Sequence, residues 1–182
     1  MPVKSLMTIE EYAALQEPEG SRYELSEGEL IVTPSPTYFH NEIRDRVHDP
    51  LRAFVQQHGL GGVTSETDVR LSERVVRRPD VAFIRASRLA GVDTKSVPLG
   101  VAPDLVVEII SPHDNPDDLM LKVSQYLEAG TRAVWYLYPT PRLAYLYRPG
   151  RRDPEVRDVS QNVDDPELLP GFSLPLAEVF AE

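Results

Sequence analysis

Residues 104–110 read Asp-Leu-Val-Val-Glu-Ile-Ile, a nearly continuous run of apolar and mostly β-branched residues. Such a run predicts a β-strand that is buried on both faces of a sheet. Glu108 interrupts the run, and an ionised carboxylate there is costly unless a cation or a metal compensates it. Because side chains alternate along a strand, Glu108 shares a face with Val106 and Ile110. We therefore expect Glu108 to point toward a polar site.

A helix is predicted directly after this strand, over residues 116–129. Asp114 or Asn115 can cap its first turn, and the proline that follows suits the first helical position. Gly130 stands where a glycine commonly ends a helix. The strand and the helix together predict that the chain turns back over the strand end that carries Glu108.

The other elements are predicted from capping, turn and periodicity signals. They are, in chain order, a helix from Thr8 to about Gln16, strands 22–25 and 29–33 joined through Gly28, a helix over 37–57, strands between Gly62 and Ile84 with a turn near 72–74, a loop over 86–102, strands 132–138 and 143–147, a polar tail over 151–170, and a short helix over 174–180. Pro50 must kink the second helix or restart it with Asp49 as cap. We predict an α/β fold whose central mixed β-sheet is flanked by helices.

Length and composition describe an ordinary globular protein. A chain of 182 residues suits one domain over 1–182, and 41 % hydrophobic with 26 % charged residues argues against disorder. The absence of cysteine excludes disulfides, thiolate ligands and a cysteine nucleophile. The N-terminal segment MPVKSLMTIEEY has no secretory signal, and no apolar run could span a membrane. We expect a cytoplasmic protein with no membrane partner.

The charge distribution leaves two interpretations open. A net charge of −10 argues against non-specific coating of nucleic acid. Basic residues nevertheless cluster just before Asp80, as Arg70, Arg74, Arg77 and Arg78. This cluster is either a solvated hairpin rich in arginine or a patch that faces phosphate.

Asp80 has the same character as Glu108, because it begins a second apolar strand in Pro-Asp-Val-Ala-Phe-Ile. Two carboxylates at the ends of adjacent strands would form an oxygen-rich site suited to Mg²⁺ or Mn²⁺. The alternative is that each carboxylate accepts hydrogen bonds from loop backbone or pairs with an arginine. The residues alone do not decide between these interpretations.

Lys122 lies two turns into the predicted helix 116–129. Asp118, Lys122 and Tyr126 fall on one helical face at intervals of four residues. A surface ion pair between Asp118 and Lys122 is one interpretation, and a lysine directed toward Glu108 is the other. Tyr126 is either a packed helix residue or a catalytic one.

A series of short motifs runs in order along almost the whole chain. They are Tyr23-Glu24-Leu25, Gly28-Glu29-Leu30, Ser35, His40, Arg78-Pro79-Asp80-Val81, the segment 103–112, Asp118, Lys122, Tyr126, Gly130 and Trp135. In this order and with these spacings, the chain resembles the Uma2 family, whose members are regarded as nucleases with the restriction-endonuclease-like PD-(D/E)xK core. The resemblance implies a restriction-endonuclease-like fold.

The resemblance also implies a set of site residues. Asp80 and Glu108 correspond to the two acidic positions of the signature and would hold Mg²⁺ or Mn²⁺. The signature lysine is missing, since Ile110 stands two residues after the second acid. The resemblance implies Lys122 in its place, supplied by the following helix to position the attacking water. Tyr138 occupies a position where the family often has an acidic residue.

Glu24 and His40 also match family positions. Glu24 could lend a further carboxylate, hold Lys122 by an ion pair, or face solvent on its strand. His40 could contact phosphate, carry a proton, cap a helix or lie on the surface. The resemblance implies a metal-dependent endonuclease that acts on nucleic acid, with DNA as the expected partner and a homodimer left open. The alternative is a catalytically silent binding or assembly module with the same fold.

Overall fold

The computed structural model describes residues 6–181. Within this part of the chain, the helices are α1 (Ile9–Ala13), α2 (Tyr38–Gln57), α3 (Ala86–Leu89), α4 (Pro116–Glu128) and α5 (Leu176–Val179). The strands are β1 (Ser21–Ser26), β2 (Glu29–Pro34), β3 (Gly61–Ser65), β4 (Val69–Arg70), β5 (Val76–Arg77), β6 (Val81–Arg85), β7 (Leu105–Ile109), β8 (Ala133–Tyr138), β9 (Leu143–Tyr147), β10 (Glu155–Asp158), β11 (Asn162–Asp164) and β12 (Ser173–Pro175).

The central sheet has six strands in the order β10-β9-β8-β7-β6-β3. Only β7 and β8 are parallel, and the other neighbours are antiparallel. Parallel strands need a crossover connection, which α4 provides here. All five residues of β7 are buried, as the apolar run predicts. The predicted α/β fold with a central mixed sheet is therefore confirmed.

Helices cover both faces of this sheet. The inner face of α2 carries apolar residues at intervals of three and four, and they pack with alternate residues of β6, β7 and β8. On the opposite face, Val123 and Tyr126 of α4 pack against Val106, Val134 and Tyr136. The middle of the sheet is thus shielded from water on both sides.

A second, antiparallel sheet has the strand order β2-β1-β5-β4. The predicted hairpin β1–β2 turns through Glu27 and Gly28, whose φ angles are 50° and 80°. Two consecutive positive φ angles are characteristic of the two-residue turn that suits the twist of a hairpin. The glycine was predicted for this reason, whereas the left-handed Glu27 was not. This sheet supplies the residues that surround Lys122.

Two helix predictions need correction. The first helix ends at Ala13 instead of near Gln16. The chain leaves it early because Glu17 is anchored elsewhere, by the backbone N–H of Tyr23 and by Arg78. The second helix continues through Pro50 as one element, so the alternative restart at Asp49 does not occur.

The polar tail contains structure that was not predicted. The strand β10 pairs with β9 at the edge of the central sheet, and β11 pairs with β12. Three of the four residues of β10 are charged, which is common for an exposed edge strand and hides the strand from a search for apolar alternation. Across residues 6–181, no helix combines the length and the apolar character needed to cross a membrane.

Candidate active site

Asp80 and Glu108 lie at the same end of neighbouring strands. The antiparallel register pairs Val81 with Val107, which brings Asp80 opposite Glu108. The Oδ2 atom of Asp80 accepts a hydrogen bond of 2.7 Å from the backbone N–H of Ile109. Both acidic residues are buried, with exposed fractions of 8 % and 6 %. We call Asp80 and Glu108 the carboxylate pair.

The carboxylate of Glu108 lacks full compensation for its charge. Its Oε1 atom accepts a hydrogen bond of 2.8 Å from the Tyr126 hydroxyl and lies 3.4 Å from Lys122 Nζ. Burial raises the pKa of Glu108 to about 7, and the negative charges of Asp80 and Glu24 add to this although Lys122 opposes it. A divalent cation beside this carboxylate would favour its ionised form.

Lys122 points inward from α4, so the interpretation of a surface pair with Asp118 is wrong. Its Nζ atom lies 3.1 Å from Glu24 Oε1 and 3.4 Å from Glu108 Oε1, and 21 % of its side chain is exposed. Burial alone would lower the pKa of Lys122, but the two carboxylates outweigh burial and raise it. Lys122 is therefore an ammonium that donates hydrogen bonds and does not accept a proton.

Glu24 holds Lys122 as part of a buried polar cluster. Arg77 donates from Nη1 to Glu24 Oε2 at 2.9 Å, from Nε and Nη2 to Gln125 Oε1 at 2.9 and 2.7 Å, and from Nη2 to Ser26 Oγ at 3.0 Å. We call Glu24, Ser26, Arg77 and Gln125 the arginine clamp. It joins β1, β5 and α4, and Gln125 lies one turn after Lys122.

Charge compensation in the clamp is complete enough to reverse the effect of burial. Burial alone would raise the pKa of Glu24, but Lys122 and Arg77 outweigh burial and lower it. The side chain of Glu24 is also fixed by the backbone N–H of Arg78, which donates to Oε1 at 2.9 Å. Of the interpretations that the sequence left open for Glu24, solvent exposure is wrong and the ion pair with Lys122 is observed.

The arginine cluster fits neither sequence interpretation as a whole. Arg77 is only 2 % exposed, so it is neither solvated nor available to phosphate. Arg78 pairs with Asp68 and Glu17. The residues next to Arg77 and Arg78 in the sequence do not show that these two side chains form internal ion pairs, because the acidic partners come from other segments of the chain.

His40 joins the site from α2. Thr37 caps that helix by accepting a hydrogen bond from the backbone N–H of His40, so His40 is not the cap. Its Nε2 atom lies 2.9 Å from Asp80 Oδ1. Burial alone would lower the pKa of His40, but the hydrogen bond and the charges of Asp80 and Glu108 outweigh burial and raise it. The structure thus brings together all five residues that the sequence singled out.

Sequence reasoning missed Gln125 and posed the role of Tyr126 as a choice between two alternatives. Gln125 was not considered, although Lys122 and Gln125 are spaced three apart and therefore share a helical face. Two polar residues on the inner face of an amphipathic helix are a usable signal. Tyr126 is both fully buried and a hydrogen-bond donor to Glu108, so the choice between packing and site residue was too strict.

The donor set fits magnesium or manganese better than zinc. Among residues 6–181, no group of three or more histidine or acidic side chains is placed to hold a metal ion. Structural and catalytic zinc sites use at least three protein ligands. Mg²⁺ usually takes one or two carboxylates and completes its shell with water and substrate phosphate. The carboxylate pair, with the unusually high pKa of Glu108, meets that requirement.

Comparisons with known proteins identify the family and the fold of this chain. The model of the Uma2 family, described as "Putative restriction endonuclease", matches residues 9–177. A crystal structure of a "putative nuclease" from Anabaena variabilis superposes with a TM-score of 0.84 over 96 % of this chain and 98 % of that chain. The two sequences are 23 % identical, so this likeness concerns the fold alone. Among curated proteins, none matches the chain.

Proposed function

Because the chain belongs to the Uma2 family, we propose that it is a metal-dependent endonuclease that hydrolyses phosphodiester bonds of DNA in the cytoplasm. In this proposal, Asp80 and Glu108 hold Mg²⁺ or Mn²⁺, and Lys122 positions the attacking water. One observation carries the proposal: Lys122 Nζ lies 3.4 Å from Glu108 Oε1 although the two residues are 14 positions apart. This contact supports the proposal that the Lys122 ammonium takes the role of the missing signature lysine.

The carboxylate pair and Lys122 divide the chemistry between them. Asp80 and Glu108 would hold a Mg²⁺ ion, whose Lewis acidity would polarise the scissile phosphate and make water a better nucleophile. Lys122, held by Glu24 and Glu108, orients the water and offsets the negative charge that develops on the phosphoryl oxygens. Since Lys122 stays protonated, it does not act as the base.

The neighbouring groups keep the carboxylates in place. The Ile109 N–H and His40 hold the two oxygens of Asp80, and the Tyr126 hydroxyl holds Glu108. Burial and the charge of Glu108 raise the pKa of Tyr126, so it remains a hydroxyl donor at physiological pH. His40 retains a side chain that is 20 % exposed, which leaves it able to contact a phosphate oxygen or carry a proton.

A catalytically silent binding or assembly module is the second candidate. The net charge of −10 favours it, and so does the use of Arg77 and Arg78 in internal ion pairs, which removes them from contact with phosphate. Under the nuclease proposal, the metal ion and Lys122 supply the positive charge that meets the substrate. Measurement of cleavage separates the two candidates.

The decisive experiment uses Lys122→Ala with circular single-stranded DNA and, separately, single-stranded RNA in Mn²⁺. The wild-type protein is expected to cut the DNA. Lys122→Ala should bind Mn²⁺ nearly as well, because both carboxylates remain, but cleave at least about 100-fold more slowly. Lys122→Arg should not restore the rate fully, because the guanidinium fork cannot place water in the same way.

Lys95→Ala is the matched control, because Lys95 is exposed on a loop. This variant should cleave at the wild-type rate. If Lys122→Ala cuts at the wild-type rate, the proposed role of Lys122 is wrong. If the wild-type protein binds Mn²⁺ but cuts neither substrate, the silent module is the better description. Cleavage of RNA alone would correct the substrate while leaving the chemistry in place.

A further inference from the structure

A cavity of about 320 Å³ opens between the first turn of α4 and the ends of β8 and β9. Its walls are formed mainly by Ile110, Pro116, Leu119, Met120, Tyr138 and Tyr147. Met120 is 52 % exposed, so apolar surface continues from the cavity to its rim. The cavity is large enough to take a planar group of the size of a nucleobase.

The cavity borders the proposed active site. Ile110 follows the strand that carries Glu108, and Leu119 lies one helical turn before Lys122. In the parallel register, Glu108 pairs with Tyr136, and Tyr138 stands two residues further along β8. Strand spacings of about 4.8 Å across and 3.3 Å along then put the Cα atoms of Glu108 and Tyr138 roughly 8 Å apart. A single nucleotide can bridge such a separation from its phosphate to its base.

The tyrosine walls are held in fixed positions. The rings of Tyr138 and Tyr145 lie 5.0 Å apart at 54°, and those of Tyr136 and Tyr147 lie 5.4 Å apart at 71°. The Tyr136 hydroxyl also donates to the backbone carbonyl of Leu119 at 2.7 Å. Each wall tyrosine is therefore supported by a second ring, and both walls are only half-buried. A supported, half-open aromatic ring is suited to stacking on a ligand.

The chemistry of the lining favours an uncharged aromatic ligand. Among residues 6–181, no lysine or arginine lines the cavity, and the one charged residue of this part of the chain that does so, Asp114, accepts a hydrogen bond from the backbone N–H of Ser111. A phosphate group would meet no cation there. A nucleobase has a π-face that stacks on aromatic side chains regardless of base identity.

We infer that this cavity binds the base of a nucleotide next to the scissile phosphate, so that the substrate strand must present an unpaired base. The inference rests on the proposed nuclease function, since it assigns the substrate of the same site. A base inside a duplex cannot reach such a cavity without loss of pairing and stacking. Single-stranded DNA is therefore the preferred substrate form.

The test measures binding of a fluorescent single-stranded DNA 12-mer by anisotropy at low salt, in Ca²⁺ to occupy the carboxylate pair and again in EDTA, where metal-dependent cleavage cannot occur. Tyr138→Leu is expected to weaken binding about tenfold, as loss of a base–aromatic stack does, whereas Tyr138→Phe should retain it. Met120→Ala should weaken binding severalfold. Leu121→Ala is the matched control, because Leu121 is 41 % exposed on the same helical turn and does not line the cavity.

An abasic 12-mer turns the comparison of wild type and Tyr138→Leu into a double-mutant cycle, in which the second change removes the base from the DNA. The wild-type protein should bind it about tenfold more weakly than the normal strand, and Tyr138→Leu should show no such difference. Equal binding of both strands by the wild-type protein, tighter binding of duplex, or an equal loss in Leu121→Ala overturns the inference. So does a dimer in sedimentation that Met120→Ala abolishes, since the cavity would then receive a second copy. If the wild-type protein cleaves normal and abasic strands equally well, the base-binding role of the cavity is wrong and the nuclease function stands. If binding depends on the base but no cleavage occurs, the nuclease function is wrong and the cavity still binds a base.

Discussion

The arginine clamp and the carboxylate pair lie on either side of Lys122, and they treat buried charge in opposite ways. In the clamp, Arg77 pairs with the carboxylate of Glu24 and donates its other N–H groups to Ser26 and Gln125. The charges of Lys122 and Arg77 lower the pKa of Glu24. In the carboxylate pair, two like charges share one end of the sheet, and the pKa of Glu108 rises. The buried charges of the clamp are compensated, whereas part of the negative charge of the carboxylate pair is not.

This difference separates structural from functional burial of charge. A buried ionic network in which all groups are satisfied fixes the surrounding elements, and removal of one partner is strongly destabilising. A buried carboxylate with a raised pKa is instead typical of sites that bind or react. The clamp holds α4 in position, whereas the carboxylate pair carries negative charge that a bound cation would stabilise. Mutations should therefore affect the two regions differently.

Arg77→Met should have the largest effect on stability. It removes the cation of the clamp and leaves Glu24 buried with Lys122 as its one cationic partner among the contacts described above, so we expect a loss of about 3–5 kcal/mol in the free energy of unfolding. This corresponds to a fall of roughly 6–20 °C in melting temperature for a chain of this size. Urea denaturation followed by circular dichroism measures it.

Arg70→Met is the control for that variant. Arg70 pairs with Glu73 on the surface, and its side chain is 38 % exposed. A surface pair contributes little, so the control should lose less than about 1 kcal/mol. Equal losses in the two arginine variants would contradict the structural role of the clamp.

Glu24→Gln should have the next largest effect, and that effect should depend on pH. The variant keeps hydrogen-bonding capacity but leaves two cations without their carboxylate, so we expect a loss of about 2–3 kcal/mol near pH 7. Because folding lowers the pKa of Glu24, its contribution is present above the unfolded pKa and is lost as the pH falls through the folded value. Melting curves from pH 7 down to pH 3 should therefore converge with the wild type.

Glu108→Gln should have the smallest effect, with the opposite sign. Folding raises the pKa of Glu108 to about 7, so without metal its ionised form opposes folding. The contribution of Glu108 is fully present below its unfolded value near 4.5 and is lost as the pH rises through 7. At pH 8 in EDTA, the variant should melt a few degrees above the wild type, because a neutral amide avoids the cost of ionising a buried carboxylate.

Near pH 3.5, about one unit below the unfolded pKa of Glu108, the Glu108→Gln and wild-type curves should coincide, because the wild-type side chain is then largely neutral in both states. A melting temperature that falls in Glu108→Gln at pH 8 would indicate a structural hydrogen bond and would remove the contrast between the two regions. Mn²⁺ should stabilise the wild-type protein and leave Glu108→Gln unchanged, since the variant lacks one ligand.

The local part of this architecture could be predicted from the sequence. The apolar run 104–110 predicted β7, and proline, acidic and glycine signals predicted α4 with Asp114 or Asn115 as its cap, of which Asn115 is observed. A single carboxylate inside an apolar strand marked Glu108. The resemblance to the family then indicated Lys122, whose contact with Glu108 is observed. The catalytic and metal-binding roles of these residues remain predictions.

The long-range part could not be predicted. The burial of Arg77 depends on Glu24, which is 53 positions away, and on Gln125, which is 48 positions away. Periodicity describes neighbours in a window and cannot identify such partners, so a buried arginine and a solvated one look alike. The strand β10 was missed for a related reason, because its charged residues are stabilised by pairing with β9 and not by burial.

The span of the clamp also sets when the site can form. Gln125 donates to Ser26 across 99 positions, so the loop that closes the site is long and its contacts form late in folding. During synthesis, the two acidic strands emerge before α4, without the ammonium that belongs beside them. Under the proposed function, a chain still on the ribosome, or a fragment cut before α4, would lack Lys122 and would not cleave. The order of elements along the chain would then delay cleavage until α4 has been made.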